Sequence, residues 1–374
     1  MKNSKLRWNH GVVVEPEQTF RYEGERTMVN LSEPIEFAGL KVKNRFVMPP
    51  MVRNLATEEG IVTDAAVSHY EECSKGQVGL IIVEAAAITW DHRIMSKNIG
   101  IHDDKCIPGL KKLADGINKH GAKSFIQINH SGLKGHGKTK YVGPSNIPVM
   151  KNTTPEAITV DGIEDVKQWF VDATRRAKEA GFDGVEIHGA HYYLLSAFLS
   201  SHTNRRDDEY GGSTKNKAKF SVDIIKMIRE EVGDYPLIFR MNGFENVVNG
   251  ISMEEGIEIA KIVEHAGIDC LHISCVVDSI FNPGLPPVFE KGSEPEFLKG
   301  YPYYSCIPVA GQIKPHVKIP VIGVGEVRDE TLVKKFQEDD ICDMLGIGRG
   351  LLADPYFVQK ILEGRAEEII PWKD

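Results

Sequence analysis

The sequence predicts a single (β/α)8 barrel of the α/β class, and three observations support this prediction. Eight short apolar segments alternate with segments of helical period, no linker divides the chain, and polar side chains gather where several apolar segments end. The predicted strands span residues 45–48, 79–84, 124–129, 184–188, 237–241, 268–274, 319–323 and 343–347. The alternative is a doubly wound open sheet, but MPPMVRN follows the first strand instead of the GxGxxG turn expected there.

The amphipathic segments predict eight helices, which span residues 64–75, 108–120, 164–180, 214–232, 253–266, 304–316, 329–338 and 355–364. Gly121, Gly181 and Gly267 directly follow three of these helices, and glycine is common just past a helix end. Two connections, 131–161 after the third strand and 275–300 after the sixth, are longer than ordinary loops. Because both leave carboxyl ends of strands, we expect them to be lids or binding loops over one face of the barrel.

The composition is that of an ordinary globular chain. Its 374 residues are 41% hydrophobic and 26% charged, which suffices for a large core. The net charge of -8 comes with no basic block, so the sequence lacks the charge pattern of a nucleic-acid-binding protein. We expect no membrane span, because no apolar stretch reaches about 18 residues, and no secretory signal, because the start MKNSKLRWNHG has no apolar core behind its lysines. Six scattered cysteines favour a reduced, cytoplasmic protein. Residues 1–28 form an extension of unassigned role, and 29–374 form the barrel.

The stretch GFDGVEIHGAHYY at 181–193 is the first candidate site, because it places His188, His191 and Tyr193 at the exit of the fourth strand. In parallel α/β proteins, chemistry is found at this end of the strands. The two histidines can be N–H donors aimed at one carbonyl or nitro oxygen, and Tyr193, which stays protonated at neutral pH, can supply a proton on the far side of the substrate. The alternatives are histidines bonded to the backbone, or a metal site with Glu186 as the third ligand.

The fifth and third strands carry polar residues inside apolar runs. Arg240 lies within LIFRMN and needs an acceptor, which is either an anionic ligand atom or an internal salt bridge, for example to Glu186. Gln127 and Asn129 fall on one side of the third strand and also need partners. A heteroaromatic ring with alternating donors and acceptors would satisfy them.

Two glycine turns end the seventh and eighth strands, with sequences IGVGEV and LGIGRGLLADP. Gly323, Gly325, Gly346 and Gly348 allow backbone N–H groups to approach a ligand, and Arg349 adds a bidentate donor. The loops after these two strands are the usual phosphate site of such barrels, so the pattern favours a phosphate. Packing at barrel corners is the alternative.

The chain resembles the old yellow enzyme family, FMN-dependent NAD(P)H oxidoreductases with a (β/α)8 barrel. The resemblance covers about residues 29–370. It rests on KNRFVMPPM at 43–51, IQINHSG at 126–132, AGFDGVEIHGAHYYLLSAFLS at 180–200, TNRRDDEYGGS at 203–213 and GIGRGLLADP at 346–355.

The resemblance implies that FMN is bound over the carboxyl ends of the strands. It implies cofactor-binding roles for Pro50, Met51, Val52, Ala85, Gln127, Arg240, Gly325, Gly348 and Arg349, and catalytic roles for His188, His191 and Tyr193. The implied reaction uses NADH or NADPH to reduce the activated C=C bond of a small electron-poor alkene, with His188 and His191 on the substrate oxygen and Tyr193 as proton donor. A homo-oligomer is compatible with this expectation.

Departures from the family pattern motivate two alternatives. Val52 stands where many members place Thr or Cys, whose side chain bonds the flavin, so a flavin-binding sensor without useful turnover is one alternative. Larger relatives add a cysteine cluster for an iron-sulfur centre and further domains. No cysteine follows Cys342, so we expect those parts to be absent here. The barrel would then serve as the flavin subunit of a split dienoyl-CoA or steroid-type reductase.

Overall fold

A closed barrel of eight parallel strands forms the centre of the molecule in a computed structural model that describes residues 28–136, 140–148, 154–277 and 287–373. The barrel strands are β3 (Phe46–Met48), β4 (Leu80–Ala87), β5 (Lys123–Asn129), β8 (Gly184–Gly189), β9 (Leu237–Glu245), β10 (Cys270–Val276), β11 (Val321–Val324) and β12 (Met344–Gly346). They neighbour one another in chain order, and β12 closes the barrel against β3. The predicted (β/α)8 barrel is confirmed, and all eight strands end at one rim.

Helices surround the barrel. They are α1 (Asp64–Lys75), α2 (Ile107–Asn118), α3 (Val160–Glu179), α4 (Leu194–Leu199), α5 (Thr214–Val232), α6 (Met253–Ala266), α7 (Ile307–Ile313), α8 (Glu330–Asp339), α9 (Arg349–Ala353) and α10 (Phe357–Leu362). Three have the predicted bounds, namely α1, α5 and α6. Helix α3 begins four residues before the predicted start, because the Thr159 hydroxyl caps it by accepting from the Gly162 N–H. The predicted helix at 304–316 contains α7 followed by a short 3-10 turn, Lys314–His316.

An antiparallel hairpin, β1 (Ile35–Phe37) with β2 (Leu40–Val42), precedes the barrel and was not predicted. Its side chains Phe37 and Val42 pack into a buried apolar cluster inside the amino-terminal half of the barrel. The other buried members of this cluster are Val47, Leu80, Ile82, Phe125, Ile238, Cys270, Ile322 and Met344. This half of the barrel is therefore a packed core, and only the carboxyl-terminal half has room for chemistry.

The two long connections are only partly described. The one after β5 contains a two-stranded parallel pair, β6 (Val142–Gly143) and β7 (Glu156–Ala157), but 137–139 and 149–153 lie outside the described residues. Of the connection after β10, 278–286 lies outside them, as does 1–27 of the predicted amino-terminal extension. In the part of the chain that the structure describes, no helix is long and apolar enough to cross a membrane.

Candidate active site

All of the predicted site residues occur at or just after the carboxyl-terminal part of a barrel strand. Their positions are Pro50, Met51 and Val52 after β3, Ala85 within β4, Gln127 within β5, His188 within β8, His191 and Tyr193 after β8, Arg240 within β9, Gly325 after β11, and Gly348 and Arg349 after β12. The strands are parallel, so the fold brings these residues to one rim. Ala85 lies at an irregularity where the register between β4 and β5 shifts.

The turn after β8 has an unusual backbone that neighbouring side chains hold in place. His191 and Tyr192 have φ values of 62° and 56°, a left-handed conformation that costs non-glycine residues free energy. The His191 N–H donates to Asn242 Oδ1 at 3.1 Å, and its carbonyl accepts from Lys134 Nζ at 2.8 Å. The Tyr192 N–H donates to Ser196 Oγ at 3.1 Å. These bonds fix the direction in which the His191 and Tyr193 side chains leave the rim.

The two predicted histidines meet in this rim. His188 Nε2 and His191 Nδ1 are 2.9 Å apart and share a hydrogen bond, and His191 Nε2 is 2.7 Å from Ser274 Oγ. Burial holds the pKa of both imidazoles well below the usual value, and the Arg240 guanidinium acts in the same direction. Both rings are therefore neutral at physiological pH, and each carries one N–H donor.

Tyr193 lies beside these rings at the start of α4. Its ring centroid is 4.8 Å from that of His188, in an edge-on arrangement. Burial raises the pKa of Tyr193 to about 12, although Arg240 opposes the shift. The phenol is thus protonated throughout the physiological range and holds a proton within the site.

Arg240 is buried on the inner face of β9, where its register neighbours are His188 on β8 and His272 on β10. Its predicted alternative partner, Glu186, is engaged elsewhere. The Glu186 carboxylate accepts from Gln127 Nε2 at 2.7 Å and bonds to His272 Nδ1 at 2.7 Å. Among the described residues, no carboxylate forms an ion pair with Arg240, although Glu186 attracts its charge from a greater distance. A salt bridge to Glu186 therefore does not account for this buried cation, which favours an anionic ligand atom.

The engagement of Glu186 also bears on the metal alternative, because its carboxylate contacts Gln127 and His272 instead of the two rim histidines. Within the described ranges, no group of three or more His, Cys, Asp or Glu side chains is arranged to hold a metal ion.

The site fits a flavin. Four buried side-chain atoms on neighbouring strands have no hydrogen-bond partner among the described residues, namely Asn129 Oδ1, His188 Nδ1, Arg240 Nε and His272 Nε2. Buried polar groups normally have partners, so these atoms indicate a missing ligand with both donors and acceptors. A flavin ring has such a polar edge, and it would supply the negative charge density that Arg240 needs.

One of the two glycine turns, the turn after β12, lies against the segment that follows β3. A Cβ on Gly348 would lie 3.3 Å from Met51 Sδ, which places the turn after β12 next to the segment after β3. Gly325 has a φ of 137°, and a Cβ there would lie 2.7 Å from Ser305 Cα, so this position requires glycine. Arg349 forms an ion pair with Glu326, whose carboxylate also pairs with Arg328 at 2.9 Å.

Sequence reasoning missed three residues that shape this site, Asn242, Ser274 and Lys134. Asn242 and Ser274 each follow a buried polar residue by two positions on a strand, and this period could have indicated them. Lys134 lies in the long connection after β5, where no period applies. Burial lowers its pKa to about 8, and its Nζ lies 5.6 Å from the Tyr193 ring centroid.

Comparisons with known proteins identify the family to which the chain belongs. Residues 30–368 match the model of the NADH:flavin oxidoreductase / NADH oxidase family. The chain is 40% identical over 347 residues to an NADH oxidase of Thermoanaerobacter brockii, covering 91% of this chain and 52% of that protein. It is 36% identical over 329 residues to an NADPH dehydrogenase of Geobacillus sp. (strain WCH70), covering 87% and 92%.

A solved structure of 2-naphthoyl-CoA reductase with 2-naphthoyl-CoA superposes with a TM-score of 0.82 and 32% identity, covering 92% of this chain and 53% of that one. The chain therefore spans about half the length of this protein and of the Thermoanaerobacter relative.

The barrel and the polar side chains at its rim define a flavin-dependent oxidoreductase of the old yellow enzyme type. The chain belongs to the NADH:flavin oxidoreductase / NADH oxidase family, since the family model covers most of its length. The predicted family, the predicted FMN and the predicted use of NADH or NADPH as reductant are confirmed.

Proposed function

We propose that this protein reduces the activated C=C bond of α,β-unsaturated carbonyl or nitro compounds. The observation that carries the proposal is the pair of neutral imidazoles, with His188 Nε2 and His191 Nδ1 2.9 Å apart at the rim, beside the protonated Tyr193. If their mutual hydrogen bond opens, the two rings can each present an N–H to one substrate oxygen, which suits an oxygen that gains negative charge during the reaction.

When bound, FMN would supply the redox chemistry, a hydride transfer from NADH or NADPH to the β-carbon of the alkene. Gln127 and Arg240 would hold the polar edge of its ring, and the turns at Gly325 and Gly348, with Arg349, would hold its phosphate. Pro50, Met51, Val52 and Ala85 would line the ring. The positive charge of Arg240, buried and without a carboxylate partner, would attract electron density on the side of the ring that it faces.

His188 and His191 would bind the substrate oxygen by exchanging their mutual hydrogen bond for two bonds to that oxygen. This exchange requires an N–H at both facing atoms. His191 can present its Nδ1–H when its Nε2 accepts from the Ser274 hydroxyl, which lies 2.7 Å away. Stabilising the developing negative charge with one such donor is worth about 2.7 to 4 kcal/mol in the transition state.

Tyr193 would donate the proton that completes the reduction at the α-carbon. Tyr193 directly precedes α4, and its ring lies edge-on to that of His188, which supports a position from which its proton would reach a carbon near the bound oxygen. A positioned acid of this kind contributes roughly 100- to 10,000-fold in rate.

Stopped-flow measurements on the two half-reactions test this proposal. We expect His191→Ala to slow oxidation by 2-cyclohexenone by about 100- to 1,000-fold while FMN stays bound and reduction by NADPH stays fast. Tyr193→Phe should likewise slow only the oxidative half-reaction. His265→Ala, on the exposed side of α6, is the matched control. Equal slowing of both half-reactions, or loss of FMN, would contradict the assigned roles.

The similarity to 2-naphthoyl-CoA reductase supports a second candidate, the flavin subunit of a split CoA-ester reductase. In that case the barrel would receive its electrons from a separate iron-sulfur chain. Full turnover of cyclohexenone with NADH or NADPH and the purified chain alone would exclude it. Turnover that requires a copurifying iron-sulfur protein would favour it over the first candidate.

A further inference from the structure

Two cysteines that are distant in sequence meet next to the candidate active site. Cys275 lies near the end of β10, and Cys306 lies directly before α7. The Cys275 thiol donates to Cys306 Sγ at 2.8 Å, and all six cysteines of the chain are free. This sulfur separation exceeds a covalent S–S bond of about 2.05 Å by only ~0.8 Å. Joining the two sulfurs would therefore require little movement.

The two thiols differ in acidity in the way that thiol oxidation requires. The hydrogen bond from Cys275 lowers the pKa of Cys306, and the Arg240 guanidinium acts in the same direction against burial. The same hydrogen bond, together with burial, raises the pKa of Cys275 well above its usual value. Cys306 is thus the more nucleophilic sulfur, and Cys275 is the neighbouring thiol that can react second.

These two thiols are also the most accessible of the six. Cys275 and Cys306 are 7% and 8% exposed, whereas none of the other four exceeds 4%. The pair adjoins the rim, because Ser274, which directly precedes Cys275, has its Oγ 2.7 Å from His191 Nε2. We therefore expect these two thiols, and not the other four, to be the ones that a small oxidant reaches first.

We propose that Cys275 and Cys306 form a redox-modifiable thiol pair, which hydrogen peroxide converts into an intramolecular disulfide. The Cys306 thiolate attacks one peroxide oxygen and breaks the O–O bond, which gives a sulfenic acid and, after proton uptake, water. The Cys275 sulfur then attacks the Cys306 sulfur and displaces hydroxide, which leaves with the Cys275 proton as a second water. The two sulfurs together lose two electrons, and the peroxide is reduced to two molecules of water. The site goes beyond the proposed function, because it requires neither alkene nor nicotinamide.

Peptide mapping of the FMN-loaded protein after treatment with hydrogen peroxide tests this proposal. The reduced protein is treated, blocked with N-ethylmaleimide and digested with trypsin without reductant, since Lys291 and Lys299 separate the two cysteines. We expect a peptide containing Cys275 linked to one containing Cys306, a loss of two of the six free thiols, and an intact mass lower by two hydrogen atoms. Dithiothreitol should restore all six thiols.

Matched variants sharpen the result. Cys342→Ser removes a more buried thiol and should leave the linked peptide unchanged. Cys275→Ser should abolish it and leave Cys306 as a sulfenic acid that dimedone traps. Retention of all six thiols, or thiol loss without the Cys275–Cys306 peptide, would overturn the proposal. The wild-type peptide map decides this even if Cys275→Ser does not fold.

Discussion

The two halves of the barrel interior differ sharply, although the same strands build both. On β5, Phe125 belongs to the apolar cluster, whereas Gln127, two residues later, bonds to a buried carboxylate. On β9 the same step leads from Ile238 to Arg240. Moving two residues along a strand keeps the side chain on the same face. Each strand therefore passes from an amino-terminal apolar layer to a carboxyl-terminal polar layer.

This difference assigns stability to the apolar layer and function to the polar layer. The apolar layer is closed by the hairpin side chains Phe37 and Val42 and has no polar side chain to satisfy. The polar layer holds buried atoms that find no hydrogen-bond partner in the described part of the chain, among them Arg240 Nε and His272 Nε2. Such atoms cost folding free energy until a ligand supplies their hydrogen bonds. We infer that the apolar layer stabilises the barrel, and that the polar layer gains its partners from the cofactor.

Phe125→Ala gives the largest expected effect and tests the apolar layer. The Phe125 ring is fully buried, 6.2 Å from the Phe37 ring centroid. Truncation should lower the free energy of unfolding by about 3 to 5 kcal/mol, because it leaves a cavity. Urea denaturation measures this loss, and FMN titration of the folded variant should give an unchanged affinity. Loss of FMN affinity equal to the loss of stability would contradict the separation of the two layers.

Glu84, two residues after Ile82 on β4, tests the polar layer through pH. Burial raises the pKa of Glu84 from 4.5 to about 7, even though Oε2 accepts from the Arg53 N–H. Between these two values the folded protein binds a proton that the unfolded chain has lost, so the free energy of unfolding falls as pH rises. The total fall due to this group is about 3 kcal/mol.

Urea denaturation at several pH values should show a flatter profile for Glu84→Gln than for the wild type between pH 4.5 and 7. Glu58→Gln, at an exposed position, is the control and should retain the wild-type slope. Identical slopes for Glu84→Gln and the wild type would show that Glu84 is ionised in the folded state at the lower pH.

The contrast between the layers also explains what could be predicted from the sequence. All eight barrel strands could be predicted, because an apolar segment is recognised from residues that are adjacent in the sequence. The hairpin at 35–42 was missed, since three-residue strands carry too short a pattern. The gathering of His188, His191 and Arg240 followed from parallel strand direction. The partners of His191 could not be predicted, because its contacts to Ser274 and Asn242 join different strands and depend on side-chain direction in the folded barrel.

Arg240→Met should separate cofactor binding from stability. Loss of a charge-assisted hydrogen bond is worth about 1.5 to 3 kcal/mol, so the affinity for FMN should fall about 10- to 150-fold. The free energy of unfolding of the apoprotein should not fall. In the apoprotein the buried Arg240 charge carries a desolvation cost and forms no ion pair with a described carboxylate, and methionine replaces it with an apolar side chain of similar length. Flavin fluorescence quenching and urea denaturation measure the two quantities.

Arg229→Met is the matched control for this experiment. Arg229 pairs with Asp269 and donates to the Gly267 carbonyl at the amino-terminal side of β10, away from the rim. Its loss should lower stability and leave the FMN affinity unchanged. The opposite pattern, with FMN affinity sensitive to Arg229 and not to Arg240, would place the cofactor elsewhere.

Ser274→Ala gives the smallest expected effect and tests how the polar layer orients its donors. The Ser274 hydroxyl lies 2.7 Å from His191 Nε2, so its loss removes the partner that keeps Nδ1–H directed at the substrate oxygen. One neutral hydrogen bond is worth about 0.5 to 1.5 kcal/mol. The Kd for phenol, a ligand whose oxygen would bind to His188 and His191 in place of the substrate oxygen, should therefore rise about 2- to 10-fold, with FMN still bound. Spectral titration of the FMN protein measures this shift. Ser221→Ala is the control, because that buried hydroxyl has no partner among the described residues. An equal rise of the Kd in both variants would mean that Ser274 contributes packing and does not orient His191.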